Sequence, residues 1–263
     1  MTRMTLSSLR LPTTRSLSAS RLALALAGCL LTAMPAAQVA AQDGAGTQPT
    51  REELEEQFKV AVTEGRDQLE AGDFAAAVQS FDTAVQLTGG ANPTPLFFRA
   101  RALMGAGEYE AALEDIKNVL TYGQSVQGLV PEARNLRAEV YLELGAVDRA
   151  LKDAEAAVKA NRNNPAYQLN YGKALVLTGN ASAAEKALSK YLATDDQTAE
   201  PYRLRAQAYA GLGKFAKGLA DIERAIELDP SDHENHYVQA LIFLQEENYI
   251  GAADALRSAI NNY

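Results

Sequence analysis

Tryptophan is absent from this 263-residue chain, histidine occurs twice and cysteine once. A single cysteine, Cys29, excludes an intrachain disulfide, and with it the small cross-linked secreted domains. The two histidines, His233 and His236, stand three apart beside Asp229, Asp232 and Glu234. That spacing converges ligands poorly and suits a helix start rich in capping groups, so no metal site is assigned. No serine sits in a nucleophile elbow, and no glycine-rich phosphate loop with its lysine follows a strand. Acid pairs such as Glu52-Glu53 and Glu246-Glu247 read as solvated helix faces. Catalytic residues and cofactors are therefore both expected to be absent. Positive charge is also in deficit: 25 Lys and Arg stand against 33 Asp and Glu, a net of −8. Such a chain repels a phosphate backbone and has no basic stripe with interleaved aromatics, which excludes nucleic acid as a partner. Alternating β-branched runs are missing, and an Ala- and Leu-rich composition with 7% aromatics favours helices throughout.

What is present begins with an address. Residues 1–41 contain Arg3, Arg10, Arg15 and Arg21 and no acid. A largely apolar run from Leu22 to Met34 follows, and then the small-residue stretch Pro35 to Ala41. A positive region, an apolar region and a small-residue cleavage site in that order describe a secretory signal peptide, cut after Ala41. The four leader arginines aside, 21 basic side chains face 33 acidic ones, so the processed chain is at −12. Leu26-Ala27-Gly28-Cys29 offers a second reading, because it resembles the bacterial lipobox, in which the cysteine is acylated. The chain is thus expected in the periplasm or secreted, or alternatively as an outer-membrane lipoprotein. It touches a membrane only if Cys29 is lipidated.

The rest of the chain repeats itself. Six segments share a small residue, a turn, an aromatic or apolar residue and then Ala or Gly. The second reads Gly107-Glu108-Tyr109-Glu110-Ala111-Ala112, and the fifth reads Gly213-Lys214-Phe215-Ala216-Lys217-Gly218. Their turn positions 72, 107, 145, 179, 213 and 247 are separated by 35, 38, 34, 34 and 34 residues. The surplus falls around Gly89-Gly90 and at residues Thr121–Gln127, where Gly, Ser and Gln mark loops. In the last segment Glu247 replaces the turn glycine.

This period and pattern resemble the tetratricopeptide repeat (TPR) family, a helix–turn–helix unit of about 34 residues. The resemblance implies an all-α, right-handed superhelical solenoid of about six units. The units fall near 58–91, 93–126, 131–164, 165–198, 199–232 and 233–263, within an array of 55–263 preceded by a linker, 42–54. The family's small first-helix residue corresponds to Gly65, Ala100, Ala138, Gly172, Ala206 and Ala240, and that of the second helix to Ala77, Ala112, Ala150, Ala184, Gly218 and Ala252.

In this family the first helices line a concave groove. Its inward positions map onto Arg66, Phe97, Arg101, Met104, Asn135 and Glu139, and onward to Leu169, Lys173, Arg203, Gln207, Tyr237 and Leu241. Cations mixed with apolar groups suit a protein or peptide segment with a carboxylate and one or two apolar anchors. The family's clamp for chaperone tails is absent, since its places hold Val62, Arg66, Phe98, Glu132 and Leu136. The expected function is a non-catalytic adaptor or scaffold outside the cytoplasm. The alternative is a lipid-anchored envelope assembly factor of the pilotin type or an outer-membrane assembly subunit. The apolar last unit, with Val238, Ile242 and Phe243, adds possible self-association at that end.

Overall fold

The computed structural model describes residues 49–263, so the leader, its cleavage site and Cys29 lie outside the described residues. Within them the chain forms twelve α-helices and one short 3-10 turn, with no strand. The helices pair as α1 (Arg51–Glu70) with α2 (Phe74–Leu87), α3 (Pro93–Gly105) with α4 (Tyr109–Tyr122), and α5 (Leu129–Glu143) with α6 (Val147–Ala160). The second half pairs α7 (Pro165–Leu177) with α8 (Ala181–Leu192), α9 (Ala199–Gly211) with α10 (Phe215–Leu228), and α11 (His233–Gln245) with α12 (Tyr249–Asn261). This is the expected helical-repeat solenoid.

Two boundaries differ from expectation. The linker was expected to run to residue 54, but α1 starts at Arg51, because Thr50 and Glu53 form a capping box. The Thr50 hydroxyl accepts the Glu53 N–H while the Glu53 carboxylate accepts the Thr50 N–H. The segment 121–127, whose composition marks a loop, is helical at its start, since α4 runs to Tyr122 before the 3-10 turn Gly123–Ser125. Elsewhere the starts follow local chemistry. Asn92 and Asn164 cap helices that open with Pro93 and Pro165, whose missing N–H costs nothing there.

Each helix pair closes over small residues. Ala77, Ala100, Ala112, Ala138, Ala150 and Ala184 are wholly buried, as are Phe81, Ile116, Leu188 and Ile222 beside them. Where the small residue is glycine, the contact is tighter still. A Cβ on Gly65 would stand 2.8 Å from the Phe81 ring, and one on Gly172 would stand 2.7 Å from Leu188.

Three of the six units add a polar clasp that the repeat pattern does not require. The Arg137 guanidinium donates from Nε and Nη2 to the two oxygens of Asp153, at 2.6 and 2.9 Å. Arg99 with Asp115, and Arg205 with Asp221, make the same two-pronged bond from first helix to second. All three aspartates are buried. These hydrogen bonds raise the pKa of each arginine despite the opposing effect of burial. Removing one partner of such a buried pair costs about 3–5 kcal/mol, because it strands the other charge.

Substantial contacts join consecutive helices, and each first helix also touches the first helix of the next unit. Second helices make no comparable contact with one another among the described residues. First helices therefore lie closer together than second helices, which curves the stack and puts α1, α3, α5, α7, α9 and α11 on its inner side.

The six turns share one geometry. At the fifth, Gly213 has φ of 70° and the next N–H, of Lys214, donates back to the Tyr209 carbonyl at 2.9 Å. At the sixth, Glu247 adopts φ of 62° and Asn248 donates to the Phe243 carbonyl at 2.8 Å. A left-handed side chain costs about 1–2 kcal/mol, while glycine's extra freedom in the unfolded chain returns about 0.5–1 kcal/mol. Glu247→Gly is therefore expected to raise stability by about 0.5–1 kcal/mol. The check is the urea midpoint, which should rise at unchanged slope; a fall would mean the Glu247 side chain contributes more than its backbone costs.

Candidate peptide-binding groove

The inner face divides into two electrostatic halves. In the C-terminal half, the cations are already engaged. Lys173 on α7 meets Glu200 on α9 at 2.8 Å. Arg203 on α9 bonds Glu234 on α11 and lies 3.8 Å from Asp232. Both pairs bridge adjacent first helices, so they stitch neighbouring units together. Gln207, Tyr237 and Leu241 are partly buried on the same row.

In the N-terminal half, Arg66 and Arg101 are exposed and form no ion pair among the described residues. The Arg66 guanidinium sits 5.3 Å from the centroid of the Phe98 ring, within reach of the ring's negative face. Phe98 in turn stacks on Phe81 at 5.6 Å and meets the edge of Phe97 at the same distance. Phe97 is only 7% exposed and belongs to the core around Leu103 and Ile116. It forms floor, not a free anchor. Arg66, Phe97 and Arg101 nevertheless share one cavity of about 370 Å³. Met104 packs partly buried against the same core.

The middle of the groove is a polar step. Asn170, buried on α7, donates to Asn135 Oδ1 on α5 at 3.2 Å. Glu139 sits beside it, partly buried. Burial, and to a lesser extent the nearby Glu143 charge, push the Glu139 carboxyl above the ordinary range, while Lys173, the Asn170 amide and Arg101 pull it back. Leu169 lines the wall beyond and packs on the Leu175–Leu188 core.

Several residues here are not among the groove residues named from the repeat, although Thr94 and Glu132 occupy an inward place in it. Thr94, Leu129, Val126 and Gln127 line the cavity with Phe98 and Glu132. The 38-residue spacing between the second and third turns was the signal for Val126 and Gln127, since it places surplus chain at this point. For Asn170 no such signal existed. His233, considered above for metal binding, instead meets the Tyr263 ring edge-on at 5.2 Å. No cluster of three metal-ligating side chains occurs among the described residues.

A tetratricopeptide repeat family model matches residues 62–117, 97–165 and 203–263, and a second tetratricopeptide repeat model matches 141–208. The DnaJ homolog subfamily C member 3 of Gallus gallus is 26% identical over 208 residues, 73% of this chain. The chain spans 39% of that relative's length. Among solved structures, MamA (residues 41 to end) from Desulfovibrio magneticus RS-1 superposes with a TM-score of 0.56 at 19% identity, covering 65% of this chain and 94% of that one. YrrB, described as a TPR protein with an unusual peptide-binding site, superposes with a TM-score of 0.57 at 20% identity, covering 70% and 93%. At these identities the superpositions speak for the fold alone.

Glu139 gives a pH-dependent prediction. Its folded-state pKa is raised, so between the unfolded and folded values the folded chain holds more proton than the unfolded one. Stability from this group therefore rises as pH falls through the folded value, and is lost as pH rises. Glu139→Gln should stabilise the protein at pH 7 and flatten the gain on acidification towards pH 5. Urea midpoints of both proteins at the two pH values test this. A variant less stable at pH 7 would show that attraction to Lys173 and Arg101 outweighs the burial cost.

Proposed function

The chain belongs to the tetratricopeptide repeat family, whose members mediate protein–protein interaction, and from this we propose that it is a non-catalytic adaptor acting outside the cytoplasm. It holds a segment of a partner protein in the groove formed by its first helices. The observation that carries this reading is that Arg66 and Arg101, neither in an ion pair among the described residues, stand over an aromatic floor in a chain of net charge −8. Exposed cations without an ion pair among the described residues favour an anionic group from outside, and the phenylalanines beside them favour an apolar neighbour. Residues 1–41 support export, through their acid-free, arginine-bearing start and the apolar run before Ala41. Exported, the protein would work in the periplasm or beyond it as the bacterial type of this repeat.

A second reading rests on Leu26-Ala27-Gly28-Cys29. Acylation there would make the protein a lipid-anchored envelope assembly factor. A Cys29→Ser chain that is exported and processed as before removes that reading; one that accumulates unprocessed supports it.

The adaptor reading is tested by capture from a native envelope extract. Wild-type protein is compared with a variant carrying Arg66→Glu and Arg101→Glu, leaving Lys173 in its inter-unit pair with Glu200. A partner held by the first and lost by the second is the expected result. Retention by both would move binding to the convex face or to the C-terminal unit, at the exposed apolar face of α12. There Tyr249 is 67% and Ile260 is 74% exposed, whereas the equivalent Phe215 and Ile226 one unit earlier are partly covered. Of the residues that pointed to self-association, Val238 and Ile242 are buried within the last unit, so a second copy of the chain would dock on this α12 face.

A further inference from the structure

The described array has two end faces, and each joint inside it shows what such a face can hold. At every internal joint the second helix of one unit is covered by the first helix of the next. In the five later units the place of Val60 is taken by Pro95, Ala133, Tyr167, Pro201 and Asn235, and all five are buried. Val60 itself is 45% exposed. It lies with Ala61 and Glu64 of α1, and with Ser80 and Thr83 of α2, in an open cavity of about 620 Å³. This leading face has the form of a joint that no preceding unit fills among the described residues.

The trailing face of α12 is its counterpart. Tyr249 and Ile260 stand exposed there, where a terminal repeat ordinarily turns a polar surface to water. Their equivalents in the first unit, Phe74 and Val85, are covered by α3. A Cβ on Gly105 of α3 would stand 2.4 Å from the Phe74 ring, and Val85 is buried in one core with Leu96 and Phe97.

The charges of the two faces match as well. At the first joint Arg99 of α3 bonds Asp82 of α2 while it also grips Asp115 of its own unit. At the fourth joint the same two places meet again, where Arg205 Nη1 donates to Ser189 Oγ at 3.2 Å. In the last unit the place of Asp82 is held by Arg257, and in the first unit the place of Arg99 is held by Glu64. The end faces thus carry the same pair of places with the signs exchanged. Glu64 is exposed and in no ion pair among the described residues. Arg257 makes an exposed pair with Asp254 at 2.9 Å on its own helix, a contact that is held weakly. Arg99 shows that one guanidinium can serve an acid of its own unit and an acid of the neighbouring one.

We infer that the leading face of α1 in one copy docks on the trailing face of α12 in a second copy. The chains then join head to tail in the register of an internal joint, with Arg257 against Glu64. The inference rests on the repeat register and is independent of what the groove holds. A contact between two different faces of one chain is heterologous, so every assembly still offers one face of each kind at its ends. A step that advances along a superhelix does not close into a ring, and the product is an open series of copies.

Sedimentation velocity of the purified protein, with whatever precedes α1 left in place, tests this through two capping variants, Val60→Asp and Ile260→Asp. Both alter exposed side chains, and circular dichroism verifies that the helices persist. Wild type is expected to show dimer and larger species that grow with concentration. Each variant alone is expected to stay monomeric, and their equimolar mixture to form a dimer and nothing larger, because one free trailing face then meets one free leading face. Glu64→Arg and Arg257→Glu should each break the series through like charges, and the double variant should restore it. A wild type that stays monomeric overturns the inference, and charge variants without effect overturn its register. A dimer that survives Val60→Asp overturns it too, since two α12 faces would then meet about a two-fold axis. None of these results bears on the groove reading, because Arg66 and Arg101 are unchanged throughout.

Discussion

Two helices can cross closely only where at least one of them presents nothing larger than a methyl, and this constraint organises the molecule. At Gly65 and Gly172 even a methyl would stand within 3 Å of the facing Phe81 or Leu188. Such close approach lets one large residue per unit fill the crossing without a void. It also fixes the angle between the helices, and the angle decides which residues reach the inner face. Everything placed in the groove, from Arg66 to Leu241, inherits its direction from those small residues. The buried arginine–aspartate clasps in the second, third and fifth units lock the same crossing with directional bonds. Packing and charge thus secure one geometry, the first by exclusion and the second by orientation.

The groove built on that frame is uneven along its length. In the later units, Lys173 and Arg203 are used to tie one first helix to the next. In the earlier units, Arg66 and Arg101 have no such duty among the described residues. Lys173 shares its place in the repeat with Arg66 and Arg101, yet of the three it is the one held in an ion pair, with Glu200. Interface charge and binding charge are drawn from one row of positions.

Much of this architecture was legible in the residues. The turn positions predicted six helix pairs, and the small residues at the crossings lie buried as the repeat requires. The start of α1 was also written in Thr50 and Glu53, although periodicity alone placed it later. The site was less legible, because a repeat register tells which way a residue faces and not what it meets there. Phe97 faces inward yet is covered by its neighbours. Lys173 and Arg203 face inward yet are neutralised by residues more than 25 positions away. Arg99 pairs across 16 residues with Asp115, and the recurrence of that pair in two other units is a sequence signal that the helical repeat pattern does not include. Asn170 bonds Asn135 across 35 residues, a contact that depends on the distance between two helices.

The contacts of this stack are all between close neighbours, and that has a mechanical consequence. Small rotations at each joint accumulate along the array, so the separation of its ends is soft while the interior of any two or three units is stiff. A ligand that grips the cavity between the first and third units meets a rigid receptor and loses little conformational freedom of the protein. A ligand stretched from Arg66 to Tyr237 must also hold every intervening joint at one angle, and each joint subtracts entropy from its affinity. Short ligands are thus favoured per contact, and a long one would act as a splint, stiffening the whole array along its length.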